Sequence, residues 1–133
     1  MQIAILYATS CVLFLILDAI MLTYVMRPLF VKHLGDQMLP DLRLIPAALF
    51  YFGYVAGLTY LVSWPALKSG APGDALIPAA VIGAMAYGTY EFTSYSILRD
   101  WDLSMVATDF VWGTVLTAFS AWAGVVVTRM ITG

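Results

Sequence analysis

Four long apolar segments, at about 3–26, 44–64, 76–98 and 105–128, alternate with short polar stretches along the chain. Each approaches the roughly 20 residues that an α-helix needs to cross ~30 Å of hydrocarbon. Backbone groups in lipid must be hydrogen-bonded internally, so such segments form helices or the strands of a closed barrel. The runs are continuous and lack the period-two alternation of barrel strands, which selects helices. The pattern therefore predicts an all-α fold, an integral membrane four-helix bundle forming a single four-span domain over residues 1–133.

The connections refine this picture. The longest runs from Arg27 to Arg43. In it Leu29, Phe30, Leu34 and Met38 recur at near-helical spacing, which suggests a short amphipathic turn lying in the interface. Pro46 and Pro78 fall in the first turns of spans two and three, where a missing N–H costs least. Span two is expected to end at Trp64-Pro65, with the indole at headgroup depth. The stretch Lys68-Ser69-Gly70-Ala71-Pro72-Gly73-Asp74 reads as a turn. Only a few residues around Arg99-Asp100-Trp101-Asp102 join spans three and four, making them antiparallel neighbours. The first segment does not read as a signal peptide. No Lys or Arg precedes it, its apolar run exceeds the ~7–15 residues of a signal core, and Asp18 lies inside. It is expected to be a retained span. Arg27, Lys32, Arg43 and Arg99 share one side against Lys68 and Arg129 on the other, so the positive-inside rule places both termini outside a bacterial inner membrane.

Composition closes off several function classes. The chain is 62% hydrophobic and 11% charged, against about 25% charged in a soluble domain. Six Lys+Arg face eight Asp+Glu, with no basic block to neutralise a phosphate backbone, so no nucleic-acid partner is expected. The lone Cys11 reads as a small apolar packer, with no base or cation near it in sequence. His33 is the single histidine, which rules out a bis-histidine haem within one bundle, and it reads as an interfacial loop residue. The Glu-x-x-His pairs of di-iron bundles are missing. No metal or other cofactor is expected. No nucleophile elbow, phosphate loop or metalloprotease signature assigns an enzymatic reaction.

Three acids inside the spans carry the candidate chemistry: Asp18, Glu91 and Asp109. An Asp near a helix centre costs roughly 2.5–3.5 kcal/mol on insertion scales, and such residues normally face a bundle interior or a polar cavity. At 1.5 Å per residue, Asp18 lies ~13 Å from Arg27, Glu91 ~12 Å from Arg99 and Asp109 roughly 10 Å from Asp102. Alternating helix directions bring these three reference points to one membrane face, so the acids occupy one layer. On span three, Gly83, Tyr87, Glu91, Ser94 and Tyr95 share a face flanked by Tyr90 and Thr93. Tyr7, Cys11, Phe14 and Asp18 make a stripe on span one. Asp109, Trp112, Gly113 and Leu116 make another on span four. This places Asp18, Glu91 and Asp109 as a charged layer, with Tyr87 and Tyr90 as hydrogen-bond donors and Trp112 as an aromatic wall.

The function this supports is an intramembrane site that binds or moves a small or lipid-like ligand, or a proton. The competing structural reading uses the acids to fix helix register. A second functional class is an accessory or assembly subunit of a larger membrane complex, and a third is a membrane-embedded lipid-modifying enzyme. The partners in view are the lipid bilayer, a lipophilic small molecule, and a second copy or a larger membrane protein. The small-residue pairs Gly53/Gly57, Ala79/Gly83, Ala84/Gly88 and Ser120/Gly124 permit close helix approach and are expected to serve the internal bundle. Phe50-Tyr51-Phe52 and Tyr54 read as packing residues or interfacial anchors.

The stretch Gly83-Ala84-Met85-Ala86-Tyr87-Gly88-Thr89-Tyr90-Glu91-Phe92-Thr93-Ser94, followed by Asp109-Phe110-Val111-Trp112-Gly113, resembles the family of small bacterial membrane proteins catalogued as domain of unknown function 2177. Leu17-Asp18 matches a further feature, and the likeness covers essentially the whole chain. Where that family commonly has Tyr-Asp-Leu-Thr-Asn, this chain has Tyr90-Glu91-Phe92-Thr93-Ser94, which keeps the charge, lengthens its reach and loses the amide. The resemblance implies a four-helix inner-membrane protein and supplies no activity.

Overall fold

A computed structural model describes residues 1–38 and 43–132. Leu39, Pro40, Asp41 and Leu42 of the first connection, and Gly133, lie outside the described residues. Four long helices form the molecule: α1 (Gln2–Gln37), α2 (Leu44–Ser69), α3 (Leu76–Ile97) and α4 (Leu103–Thr132). No strand occurs among the described residues. The chain forms the all-α membrane bundle that the apolar pattern predicts. α1, α2 and α4 are long and apolar enough to cross a membrane. α3 has the length, at 22 residues, and falls short of their apolarity because Tyr90, Glu91, Thr93, Ser94 and Ser96 crowd its second half. Part of that polarity is absorbed locally. The Thr89 hydroxyl donates to the Met85 carbonyl at 2.6 Å, and that of Ser96 to the Phe92 carbonyl at 2.7 Å.

Two helices run further than their prolines suggest. α1 continues past Arg27-Pro28 as helix to Leu34 and a final tight turn, so the expected interfacial turn is an extension of the first span. α2 likewise passes through Trp64-Pro65 to Ser69. In each case a widened π-helical turn stands immediately before, at Leu22–Met26 and at Thr59–Ser63. A helical proline cannot donate to the carbonyl four residues back and its ring clashes with it. For Pro28 and Pro65 those carbonyls belong to Tyr24 and Leu61, both inside the π turns, where the wider ring accommodates the mismatch. α2 stops at Gly70, whose φ of 77° is left-handed and suits a residue without Cβ. The Ser69 hydroxyl bonds to the Ala66 carbonyl and the Asp74 carboxylate across this turn.

Helices α3 and α4 pack most closely, as their short link requires, and α1 covers the other side of α4. Small residues set the spacing. A Cβ on Gly83 would stand 2.6 Å from the Gly113 carbonyl oxygen, and one on Gly113 would strike the Tyr87 ring. A Cβ on Gly124 would strike the Ser10 hydroxyl of α1. Gly53 and Gly57 differ: a Cβ there meets nothing within 4 Å, so this pair faces outward instead of serving the bundle. Their face of α2 found no helix to pack on, and local small-residue spacing carries no information about that. The bundle ends are tied by Gln2 bonding to Thr132 at 3.1 Å, and by Gln37 bonding to Asp100 at 2.9 Å. Both chain ends thus lie at one end of the bundle and the first and third connections at the other.

Candidate functional site

The first half of α2 leans on α1 and touches α3 only sparsely. Phe14 of α1 holds it, with ring centroids 5.8 Å from Tyr51 and 5.5 Å from Tyr54, and the Tyr7 hydroxyl donates to the Phe52 carbonyl at 3.0 Å. Past the π turn, α2 packs against α4. The wedge left between α2 and α3 is a cavity of about 330 Å³. Its α2 wall is Phe50, Tyr51 and Tyr54, its α3 wall Ala86, Tyr87 and Tyr90, and its floor carries Asp18 from α1 and Asp109 from α4. Leu22 and Phe30 of α1 complete it. Phe50 and Tyr90 are 62% and 52% exposed, so the rim opens on the side of the bundle. No Lys, Arg or His is among the lining residues.

The three predicted acids converge. Asp18 is 4% exposed, and its Oδ1 accepts a long hydrogen bond of 3.3 Å from the Trp112 indole. Tyr51 is its other close neighbour, and Asp109 shares the cavity with it. Asp109 in turn neighbours Glu91. Glu91 is fully buried and does not line the cavity. Its Oε1 accepts from the Trp101 indole at 2.9 Å, and its carboxyl group also meets that of Asp109. The acids thus come from three helices, Asp18 and Asp109 at the cavity and Glu91 inside, with the Trp112 indole donating to Asp18 and the Trp101 indole to Glu91.

The other predicted site residues take more varied places. Tyr87 lines the cavity and keeps its hydroxyl buried with no partner, so the expected bond to an acid is not made. Tyr90 also lines it and meets the Trp101 ring edge-on, with centroids 5.6 Å apart. Trp112 is a donor to Asp18 and not a cavity wall. Ser94 is half-buried and Tyr95 turns outward at 46% exposed, so the polar face of α3 ends near Glu91.

Sequence reasoning missed Trp101 and underrated Phe50, Tyr51 and Tyr54. Trp101 is 7% exposed, packed among Met105, Val106 and Phe30. Its signal was faint: an aromatic residue in a link too short to leave the bundle end. Tyr51 and Tyr54 are packing residues that, with the exposed Phe50, also form the cavity wall.

Outside the apolar layer, Asp102 caps α4. Its Oδ2 accepts from the Ser104 backbone N–H at 2.9 Å and from the Ser104 hydroxyl. These bonds hold its carboxyl below the ordinary carboxylate range, and the nearby His33 and Lys32 charges act in the same direction. His33 sits on the helical extension of α1, its Nε2 3.6 Å from Asp102.

Fold and site together define a helical integral membrane protein with a carboxylate layer and a side cavity. A family model described as "Predicted membrane protein (DUF2177)" matches residues 3–126, and the chain belongs to that family. No curated protein and no solved structure matches it significantly.

Proposed function

We propose that the protein is a multi-pass protein of the bacterial inner membrane, a single four-span domain whose cavity binds a small lipophilic ligand at the Asp18–Asp109 layer. α3 serves as the fourth crossing, since its most costly group, Glu91, is wholly enclosed. The terminal tie between Gln2 and Thr132 supports an even number of crossings, and the distribution of Lys and Arg supports termini on the outer side.

The carrying observation is the cavity itself: about 330 Å³, aromatic-walled, carboxylate-floored and open at the side. Small-molecule sites span ~300–1,000 Å³ and pair apolar walls with a few convergent polar groups. A bundle using its acids only as register pins has no need to hold its second and third helices apart. Native mass spectrometry of the protein extracted gently from its own membrane tests the reading. A bound small-molecule mass, lost in Asp18→Asn and Asp109→Asn, is expected. Protein with no bound mass in any preparation would sink it.

A second reading, an accessory subunit, is favoured by one observation: the outward Gly53/Gly57 face of α2, flanked by exposed Leu49 and Phe52. A partner protein at fixed stoichiometry in the same spectra is its signature.

A further inference from the structure

We infer that the ligand is a small organic cation, an ammonium group on an apolar body, entering sideways from the bilayer between α2 and α3. This rests on the reading of the cavity as a binding site and names the chemistry that the site selects. Among the described residues two carboxyl groups, Asp18 and Asp109, reach the cavity, and no basic side chain does. An anionic ligand would meet only these acids and tyrosine hydroxyls. A cation would find its countercharge on the floor.

The walls point the same way. Phe50, Tyr51, Tyr54, Tyr87 and Tyr90 surround the space, and aromatic faces attract cations through their negative quadrupole, most strongly where water is excluded. They offer ring surface to methyl groups on nitrogen and few lone pairs to a bare metal ion. Among the described residues no cluster of three or more His, Cys, Asp or Glu forms a metal site. A cavity of about 330 Å³ is also far larger than one inorganic ion fills.

A further feature points to an occupant. The Tyr87 hydroxyl, on the cavity wall, is buried and has no hydrogen-bond partner among the described residues. Buried polar atoms are nearly always paired, so an orphan on a cavity wall calls for a partner. The route follows from the rim. Phe50 and Tyr90 at the rim are more than half exposed, beside exposed apolar residues of α2 and α3 such as Leu49 and Phe92. An amphiphile can slide its head inward there while its apolar body stays in lipid.

A matched pair of probes separates charge from shape. Benzyltrimethylammonium and neopentylbenzene have the same heavy-atom framework and differ by one positive charge. Binding is measured by calorimetry with the full-length protein in lipid nanodiscs, with empty nanodiscs subtracted. The expected result is saturable binding of the cation, at least about tenfold tighter than the neutral isostere, weakened about tenfold or more in Asp109→Asn. Tyr90→Leu, at an exposed rim position, should weaken the cation and leave the neutral probe unchanged. Equal binding of the two probes would overturn the cationic class while leaving the site in place. Displacement of the cation by millimolar sodium, with no dependence on the Tyr90 ring, would assign the site to an inorganic ion and also overturn it. If neither probe binds and native extracts carry no ligand mass, the binding-site reading falls as well.

Discussion

Gly113→Ala is the sharpest probe of how α3 and α4 hold the cavity wall. The added Cβ would overlap the Tyr87 ring at its root, at Cγ and both Cδ atoms, and not at a flexible tip. Tyr87 cannot yield by a small swing. Either its whole side chain leaves its rotamer, or the two helices separate along the Gly83–Gly113 contact, where 2.6 Å from a Gly83 Cβ position to the Gly113 carbonyl oxygen shows how close they run. Overpacking of this kind costs about 1–3 kcal/mol. Replacing helical Gly by Ala returns about 1 kcal/mol of backbone preference. With the clash at the ring root, the upper end applies, and the net effect is a loss of about 2 kcal/mol. Removing the ring removes the clash, so in a Tyr87→Ala background Gly113→Ala should stabilise by up to about 1 kcal/mol. Reversible unfolding by SDS in mixed micelles reads both numbers. A neutral or stabilising Gly113→Ala in the wild-type background, or the same sign in both backgrounds, would refute the packing argument.

Trp101→Phe keeps an aromatic ring between Phe30 and Tyr90 but removes the indole donor to Glu91 Oε1, and an unsatisfied buried acceptor costs about 1–3 kcal/mol. The same unfolding assay should show this loss in wild type and little of it in a Glu91→Leu background. Ser120→Ala removes a buried hydroxyl that has no hydrogen-bond partner among the described residues, so it should be neutral or stabilising by up to about 1 kcal/mol; a clear loss would reveal a partner. Because the Asp102 carboxyl is held below its usual range, its cap contributes stability that is complete above the ordinary carboxylate range and is lost as pH falls through the depressed value. Melting curves from pH 6 down to 2 should show that loss in wild type and a smaller one in Asp102→Asn, which keeps a cap but not the charge.

Much of the site was legible because depth in a membrane helix is arithmetic. A rise of 1.5 Å per residue and alternating directions suffice to put Asp18, Glu91 and Asp109 in one layer, and the structure brings Asp18 and Asp109 to one cavity with Glu91 beside Asp109. Helical spacing also marks Asp18, Gly83, Glu91, Asp109 and Gly113 as inward, and all five are buried. What stayed hidden depends on tertiary contacts. Trp101 reads only as part of the short link between spans three and four, until the chain reversal brings its indole to Glu91. Pro28 and Pro65 read as helix breakers, since the compensating π turns leave no obvious mark in apolar sequence. Gly53/Gly57 has the same spacing as Ala79/Gly83, and only the splay of α2 leaves the first pair bare and the second pressed on α4. That splay also turns Tyr51 and Tyr54 from plain packing residues into a cavity wall.

The most direct test of the central claim is an experimental structure of the protein taken from its own membrane without added ligand. Non-protein density is expected between the Tyr51/Tyr54 and Tyr87/Tyr90 walls, its polar end against Asp18 and Asp109. An α2 packed flush on α3, with the cavity closed and the acids bonded only to one another and to the two indoles, would contradict it.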